Sequence, residues 1–309
     1  MGVTINTNFW GDVVEELMAL AVTHNEIVEG GHIFISDKIQ KKRALNRITM
    51  SNIIQAVAAT PTPQGQFTLD ERALDPDDFM VYVEFDPGDF REAWEYLAPK
   101  GDFVFTELTP KVQAELLRQV IEGANGVNEY MGSAILIGDK TSGTPPFDRF
   151  NGIITKAKAD ADVIDVTGYA SLDTSNIAAK LKSIKDQSRV ATRRNSKFKM
   201  FTSVVDAEKY AEFQKAQVNK GVDVTSGGVM KIDGTPIIPL VGMPENTVFA
   251  TIADSTRGSN IWLGVKGIAD YSTVKVMPVQ NNSDLWFFKM KMGADTQIKF
   301  GQDFSLYTA

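Results

Sequence analysis

TPKVQAELLRQVIEGANGVNEYMGSAILIGD, Thr109 to Asp139, is the stretch on which the reading of the chain turns. Thr109 suits a helix cap, and Pro110 suits the first helical position, where its missing N–H would have no partner. Apolar residues then recur at Val112, Leu116, Val120, Ala124, Val127, Met131 and Ile135. Spacings of three and four hold them on one stripe, which predicts a single amphipathic helix over 110–136. At 1.5 Å per residue it would run about 40 Å. Gly123, Gly126 and Gly132 interrupt it, each costing about 1 kcal/mol relative to Ala. Either a neighbouring backbone packs closely against them, or the helix hinges there. An ordinary core helix with local weak points fits the periodicity equally well.

On the N-terminal side, residues 1–8 read as an extended arm. A helix over about 10–28 follows, with Asn8 as cap and Gly30-Gly31 as its end. His24 falls on its apolar stripe and reads as a packed side chain. Residues 32–86 pass from a basic section (Lys38, Lys41, Lys42, Arg43, Arg47) through Thr60-Pro-Thr-Pro-Gln-Gly65 to an acidic one (Asp70, Glu71, Asp75, Asp77, Asp78, Glu84, Asp86). Phe79, Val81, Val83 and Phe85 alternate with Met80, Tyr82 and Glu84, the period-two pattern of a strand. Two oppositely charged arms around a Pro/Gly tip predict a long hairpin over 45–86. It holds too few apolar residues for a core of its own, and isolated hairpins are marginal in water, so it needs a partner surface. A solvated charged loop is the alternative. A short helix with Phe90, Ala93, Trp94 and Leu97 on one face then leads to Thr109.

On the C-terminal side, the pattern becomes α/β. A strand is expected at 163–166, a helix over about 174–186, a strand at 198–201, and a helix opened by Ser203 and Asp206 as a variant capping box. Met230-Lys-Ile, Asp233-Gly234 and Pro236 to Val241 form a hairpin signal, because Asp-Gly favours the tight turn that strand twist requires. Further strands are expected at 248–252, at 261–263 and through 274–307.

The sequence carries little chemistry. Among 309 residues there is no cysteine and there are two histidines, so thiolate nucleophiles, disulfides and Cys-based metal sites are excluded. A formal charge of −7 disfavours a protein built to grip duplex nucleic acid. No apolar run is long enough to span a bilayer as a helix, and the first residues lack a secretory signal's pattern. Gly138-Asp-Lys140-Thr141 departs from a phosphate-binding loop, since Asp139 stands where Gly is required. Asp160, Asp162 and Asp165 depart from a calcium loop and read as an acidic turn. Arg189, Arg193, Arg194, Lys197 and Lys199 read as a solvated basic linker. No catalytic, cofactor-binding or metal site is expected.

Three stretches carry a resemblance. Ala134 to Pro146 with Phe150-Asn-Gly-Ile-Ile154 resembles the helix exit and Gly-Ile segment of tailed-bacteriophage major capsid proteins. Lys231-Ile-Asp-Gly-Thr-Pro-Ile-Ile-Pro-Leu-Val-Gly-Met-Pro244 resembles their G-x-P-[VI]…MP hairpin, and Trp286 to Tyr307 their closing strands. That family has the Hong Kong ninety-seven shell fold, shared with encapsulins and herpesvirus shell proteins. The resemblance implies an α+β chain with an N-terminal arm and helix (1–44), an E-loop hairpin (45–86), a peripheral (P) domain (87–170 and 270–309) containing the spine helix, and an axial (A) domain (171–269). It implies no enzymatic activity. Phe67, Leu69, Asp70, Glu71, Arg72, Asp77 and Phe79 would form the E-loop's assembly interface, with Gly123, Gly126 and Gly132 as the spine-helix hinge.

The implied partners are copies of the same chain as hexamers and pentamers, a portal, a separate scaffolding protein, a decoration or cement protein, and double-stranded DNA held by weak non-specific contact. The implied location is the virion, after assembly in the bacterial cytoplasm. The sequence departs from relatives that crosslink an E-loop lysine to an asparagine. Asn281 and Asn282 are placed for it, but Lys38, Lys41 and Lys42 precede the hairpin and no matching Glu stands out. An encapsulin-type compartment and a soluble α/β enzyme are the alternatives.

Overall fold

A computed structural model describes residues 25–37, 39, 41–51, 54–57, 59–60, 62, 65–86, 118, 121, 126–166, 170–217, 229–266, 275–279 and 285–309. The expectations for residues 1–24, the helix around Trp94, Gly123, and Asn281 and Asn282 lie outside these.

The first described part comprises α1 (Glu26–Glu29), β1 (Phe34–Ser36), β2 (Arg43–Ser51), β3 (Gln66–Leu74) and β4 (Asp77–Phe85). The middle contains α2 (Val127–Ile137), α3 (Ile153–Ala159) and β5 (Ile164–Asp165). Then come α4 (Ile177–Gln187), α5 (Val190–Arg193), β6 (Phe198–Ser203), α6 (Val204–Ala216), β7 (Lys231–Ile232), β8 (Thr235–Leu240), β9 (Thr247–Ile252) and β10 (Ile261–Val265). β11 (Lys275–Pro278), β12 (Trp286–Ile298) and β13 (Phe304–Thr308) complete it.

Two sheets organise the body. In one, β12 is the seam: β4 lies along it on one side, and β11 and β10 pair with it on the other, with β1 parallel to β10. The other runs β5-β13-β9-β6-β8-β7. Alternation in this second sheet feeds two cores. Phe198, Met200, Val248, Ala250 and Tyr307 pack with Ile177, Leu181 and Ile184 of α4 and Tyr210 of α6. Phe201, Phe249 and Phe304 point the other way, toward α2, α3 and the first sheet. Their rings stack at 4.7 and 5.2 Å between centroids. Burial of both faces explains why apolar residues stand at successive positions, Met200-Phe201 in β6 and Val248-Phe249-Ala250 in β9.

Local signals account for several elements. The Ser203 hydroxyl accepts from Asp206 N at 3.0 Å and donates to the Asp206 carboxylate at 2.7 Å, capping α6 as its sequence anticipates. Asp233 (φ 45°) and Gly234 (φ 81°) turn β7 into β8. This is the left-handed pair that a tight hairpin demands.

Other expectations need correction. A continuous helix over 110–136 does not pass through Gly126. Arg118 and Ile121 are helical, but Gly126 is extended (φ −72°, ψ 176°) and is the N-cap of α2. Of the helix expected over 10–28 only 25–28 are described, and there Asn25 is extended and its side chain accepts from Val28 N to cap α1. The segment 189–199 is no solvated linker. It contains α5, and Arg189, Arg193 and Lys197 pair with Asp303, Asp186 and Asp254.

The hairpin is β2 with β3 alone. β4, expected as its acidic arm, leaves at Asp75-Pro76 and joins β12 over its whole length. The sheets also cut across the expected segments. β10, within 171–269, pairs with β12, whereas β13, within 270–309, lies between β5 and β9. Among the described residues no helix is long and apolar enough to cross a membrane.

Candidate assembly surface

The hairpin is clamped to the body through one face, from its base out to Arg47. Two strands of nine residues span about 30 Å at 3.3 Å per residue. Directly opposed residues share a face, so the register sorts the side chains. One face carries Arg43, Leu45 and Arg47 opposite Leu74, Arg72 and Asp70, and at the base it packs against the body. Leu45 and Leu74 are buried. The Arg72 guanidinium ion-pairs with Asp160 and Asp162 and donates to Ile298 O at 3.2 Å. Arg47 stacks on Phe300 at 4.6 Å, and Arg43 lies over Trp262 at 5.5 Å. Gln297 Nε2 also donates to Ala73 O at 2.6 Å.

The exit into β4 is held as firmly. Asp75 N donates to the Asp295 carboxylate at 2.9 Å, and the same side chain accepts from Lys156 Nζ at 2.7 Å. Burial pushes the Asp295 carboxyl above the ordinary carboxylate range, while the Lys156 cation opposes that rise. Lys140 pairs with Asp77 at 2.7 Å and Lys266 with Asp78.

The opposite face is different. Ile48 stands across from Leu69, and Met50 across from Phe67. These four side chains retain 63, 63, 55 and 70% of their exposure, respectively. They make one apolar square on the face turned away from the clamp, next to exposed Glu71. Ile54 and Val57, beyond the end of β2, are fully exposed. An exposed apolar patch of this kind makes the hairpin face a candidate docking surface.

The expected interface residues therefore divide. Phe67 and Leu69 lie in the square, Glu71 beside it, and exposed Asp70 on the other face, opposite Arg47. Three are committed inside the chain instead: Arg72 in the base clamp, Asp77 to Lys140, and Phe79 against Phe150, with ring centroids 6.1 Å apart. The sequence reading missed Ile48 and Met50. They alternate with polar neighbours in the basic arm, but only the register places them beside Leu69 and Phe67. Of the expected hinge glycines, Gly126 is a helix cap and Gly132 faces Asn25, whose Cβ would lie 3.3 Å from an added methyl group.

No protein-family model matches the sequence, and no curated protein does either. Solved structures do match. The capsid of a native GTA particle superposes with a TM-score of 0.57 at 10% identity, covering 100% of this chain and 95% of that one. The fold is that of phage capsid subunits. The cyanophage A-1(L) capsid matches the same fold with a TM-score of 0.57 at 11% identity over 98% of this chain and 96% of its own. The satellite phage P4 procapsid does so with 0.56 at 12% over 98% and 93%. At such identities the likeness is one of fold. What this hairpin can grip depends on its own side chains.

Proposed function

We propose that the chain is the major shell subunit of an icosahedral, tailed-phage-type capsid, a structural and non-catalytic role. Its copies form hexamers and pentamers that enclose double-stranded DNA, in a virion assembled in the bacterial cytoplasm. A portal, a separate scaffolding protein and a decoration or cement protein would complete the particle. The observation that carries this reading is the exposed square Ile48, Leu69, Met50 and Phe67 on a hairpin whose base is locked to its own body. A lone subunit gains nothing from holding that square in water, whereas a ring of subunits buries one per copy. The net charge of −7 suits a wall that confines DNA without binding it tightly.

The reading assigns β2–β3 as the E-loop, α2 with the helical residues before it as the spine, and the α4–α6 layer as the A domain. The test is to purify the expressed chain with and without its neighbouring viral genes and inspect it by electron microscopy and sedimentation. Closed shells of uniform diameter are expected, with nuclease-protected DNA when packaging genes are present. Shells that hold protein cargo would favour an encapsulin-type compartment. A chain that stays monomeric in every combination overturns the reading.

A further inference from the structure

Arg43, Lys299 and Arg47 form a row of cations where the hairpin meets the body. Lys299 Nζ lies 5.7 Å from the centre of the Trp262 ring and 5.0 Å from that of Phe300. Arg43 shares the first ring with it, at 5.5 Å, and Arg47 the second, at 4.6 Å. Arg43 and Arg47 stand four residues apart on one face of β2, about 13 Å at 3.3 Å per residue. Lys299, over both rings, falls between them. Exposed Lys41 and Lys42 continue the row past the start of β2.

These charges are not neutralised within the subunit. Among the described residues no carboxylate pairs with any of the three. Arg43 donates to the Ser36 hydroxyl, and Asp70, across the ladder from Arg47, makes no ion pair with it. Elsewhere Lys156, Lys197, Lys209 and Lys266 each meet a carboxylate. Acidic side chains outnumber basic ones 39 to 32, so a shortage of carboxylates does not explain the gap.

The site is also held in place. Trp262 Nε1 donates to Ser259 O at 2.8 Å. The buried Asn260 side chain accepts from Phe300 N at 2.8 Å and donates to Phe300 O at 2.9 Å. Each ring attracts its cations through its face, which leaves N–H groups at the cation's rim for an outside acceptor. The three cations are half-buried, within reach of a ligand but less hydrated than on an open surface.

We propose that this row binds successive phosphate groups, carried on a nucleic-acid backbone or on a free polyphosphate. A guanidinium fork matches two oxygens of one phosphate, and cations set in line at intervals of several ångströms follow phosphates linked in a chain. The site belongs to the single subunit and does not depend on the shell reading.

The purified full chain is titrated with tripolyphosphate by calorimetry and with a short fluorescent DNA duplex by anisotropy. Arg47→Gln with Lys299→Gln should weaken the binding about tenfold or more, and Arg43→Gln with Lys299→Gln is the second variant should the first fold poorly. Lys158→Gln removes an exposed charge elsewhere and should change nothing. With three phosphate contacts, duplex affinity should fall about fortyfold between roughly 50 and 200 mM salt, and Lys299→Gln should reduce the log–log slope by about one.

Tripolyphosphate that displaces the duplex supports one site open to both sources. Binding of tripolyphosphate alone supports the site and assigns it to free polyphosphate, and binding of the duplex alone assigns it to nucleic acid. Binding of neither, affinity unchanged in both paired variants, or a glutamate peptide that binds as tightly as tripolyphosphate overturns the proposal. None of these outcomes bears on whether the chain closes into shells.

Discussion

Leu74 fills the space that a side chain on Gly264 would need. A methyl group on Gly264 would come within 2.6 Å of Leu74 Cδ2 and 3.0 Å of Ile39 Cδ1. The last residue of the hairpin is thus a knob set into the middle of β10, and the missing Cβ is what lets the hairpin base sit on the sheet.

Gly264→Ala should lower subunit stability by about 1–3 kcal/mol, the usual range for overpacking. Leu74→Ala alone leaves a cavity and should cost about 2–5 kcal/mol. The double variant should lose less than the sum of the two, because the small side chain opens the space the methyl needs. Urea unfolding of the four chains measures the coupling; strict additivity would disprove the knob.

Ile48→Ser combined with Phe67→Ser removes half of the apolar square. Both positions are exposed in the subunit, so its unfolding free energy should stay within about 0.5 kcal/mol of the parent. Full burial of such side chains contributes about 1.5–3 kcal/mol each, and that contribution is lost at every copy's contact. Sedimentation should find folded subunits and no shells. Normal shells would show that the square is not the gripping face.

His32 supplies a pH dependence. Its ring lies edge-on to Phe201, with Nδ1 2.9 Å from Lys199 Nζ. Burial, then the Lys199 charge, lowers its pKa from 6.5 to about 4. Lys199 is itself lowered, first by burial, with Asp254 opposing and Lys197 adding to the effect. Between pH 4 and 6.5 the unfolded chain therefore binds the extra proton, and stability rises with pH across that window. Below it the contribution is lost. His32→Gln should flatten that part of the stability–pH curve; an unchanged slope would assign the dependence to other groups.

Lys156→Met leaves the Asp295 carboxyl buried without its cation. Breaking a buried pair in this way costs about 3–5 kcal/mol near neutrality. Asp295 is already raised by burial and should rise further, so the folded variant takes up a proton that the unfolded chain does not. Its stability should then fall as pH rises, and the gap from the parent should narrow between pH 7 and pH 5. Denaturation at the two pH values checks the sign.

Legibility from sequence followed the range of the interactions. Ser203 with Asp206, and Asp233-Gly234, act within a few residues, so α6 and the β7–β8 turn could be read directly. The hairpin could be recognised but not bounded. Residues 66–74 and 77–85 both read as strands, and the partner that draws β4 away, β12, begins about two hundred residues later. Pro76 is the local mark of that switch, since it has no N–H to continue a ladder. The apolar square was half legible for the same reason: Phe67 and Leu69 were found, while Ile48 and Met50 needed the register. Gly126 was noticed as a weak point, yet periodicity does not distinguish a bend from a capped restart.

The placement of β12 and β13 has a consequence for biosynthesis. Among the described strands β4 and β10 are joined through β12, and β5 is joined to β9 through β13, so the first sheet and the β5 edge of the second wait for residues 286–308. A ribosome delivers those residues after all the others described. Until then the nascent polypeptide lacks the platform that aims its hairpin. Incomplete translation products would therefore be poor recruits to a growing lattice, a form of quality control that depends on strand order and requires no chaperone to read it.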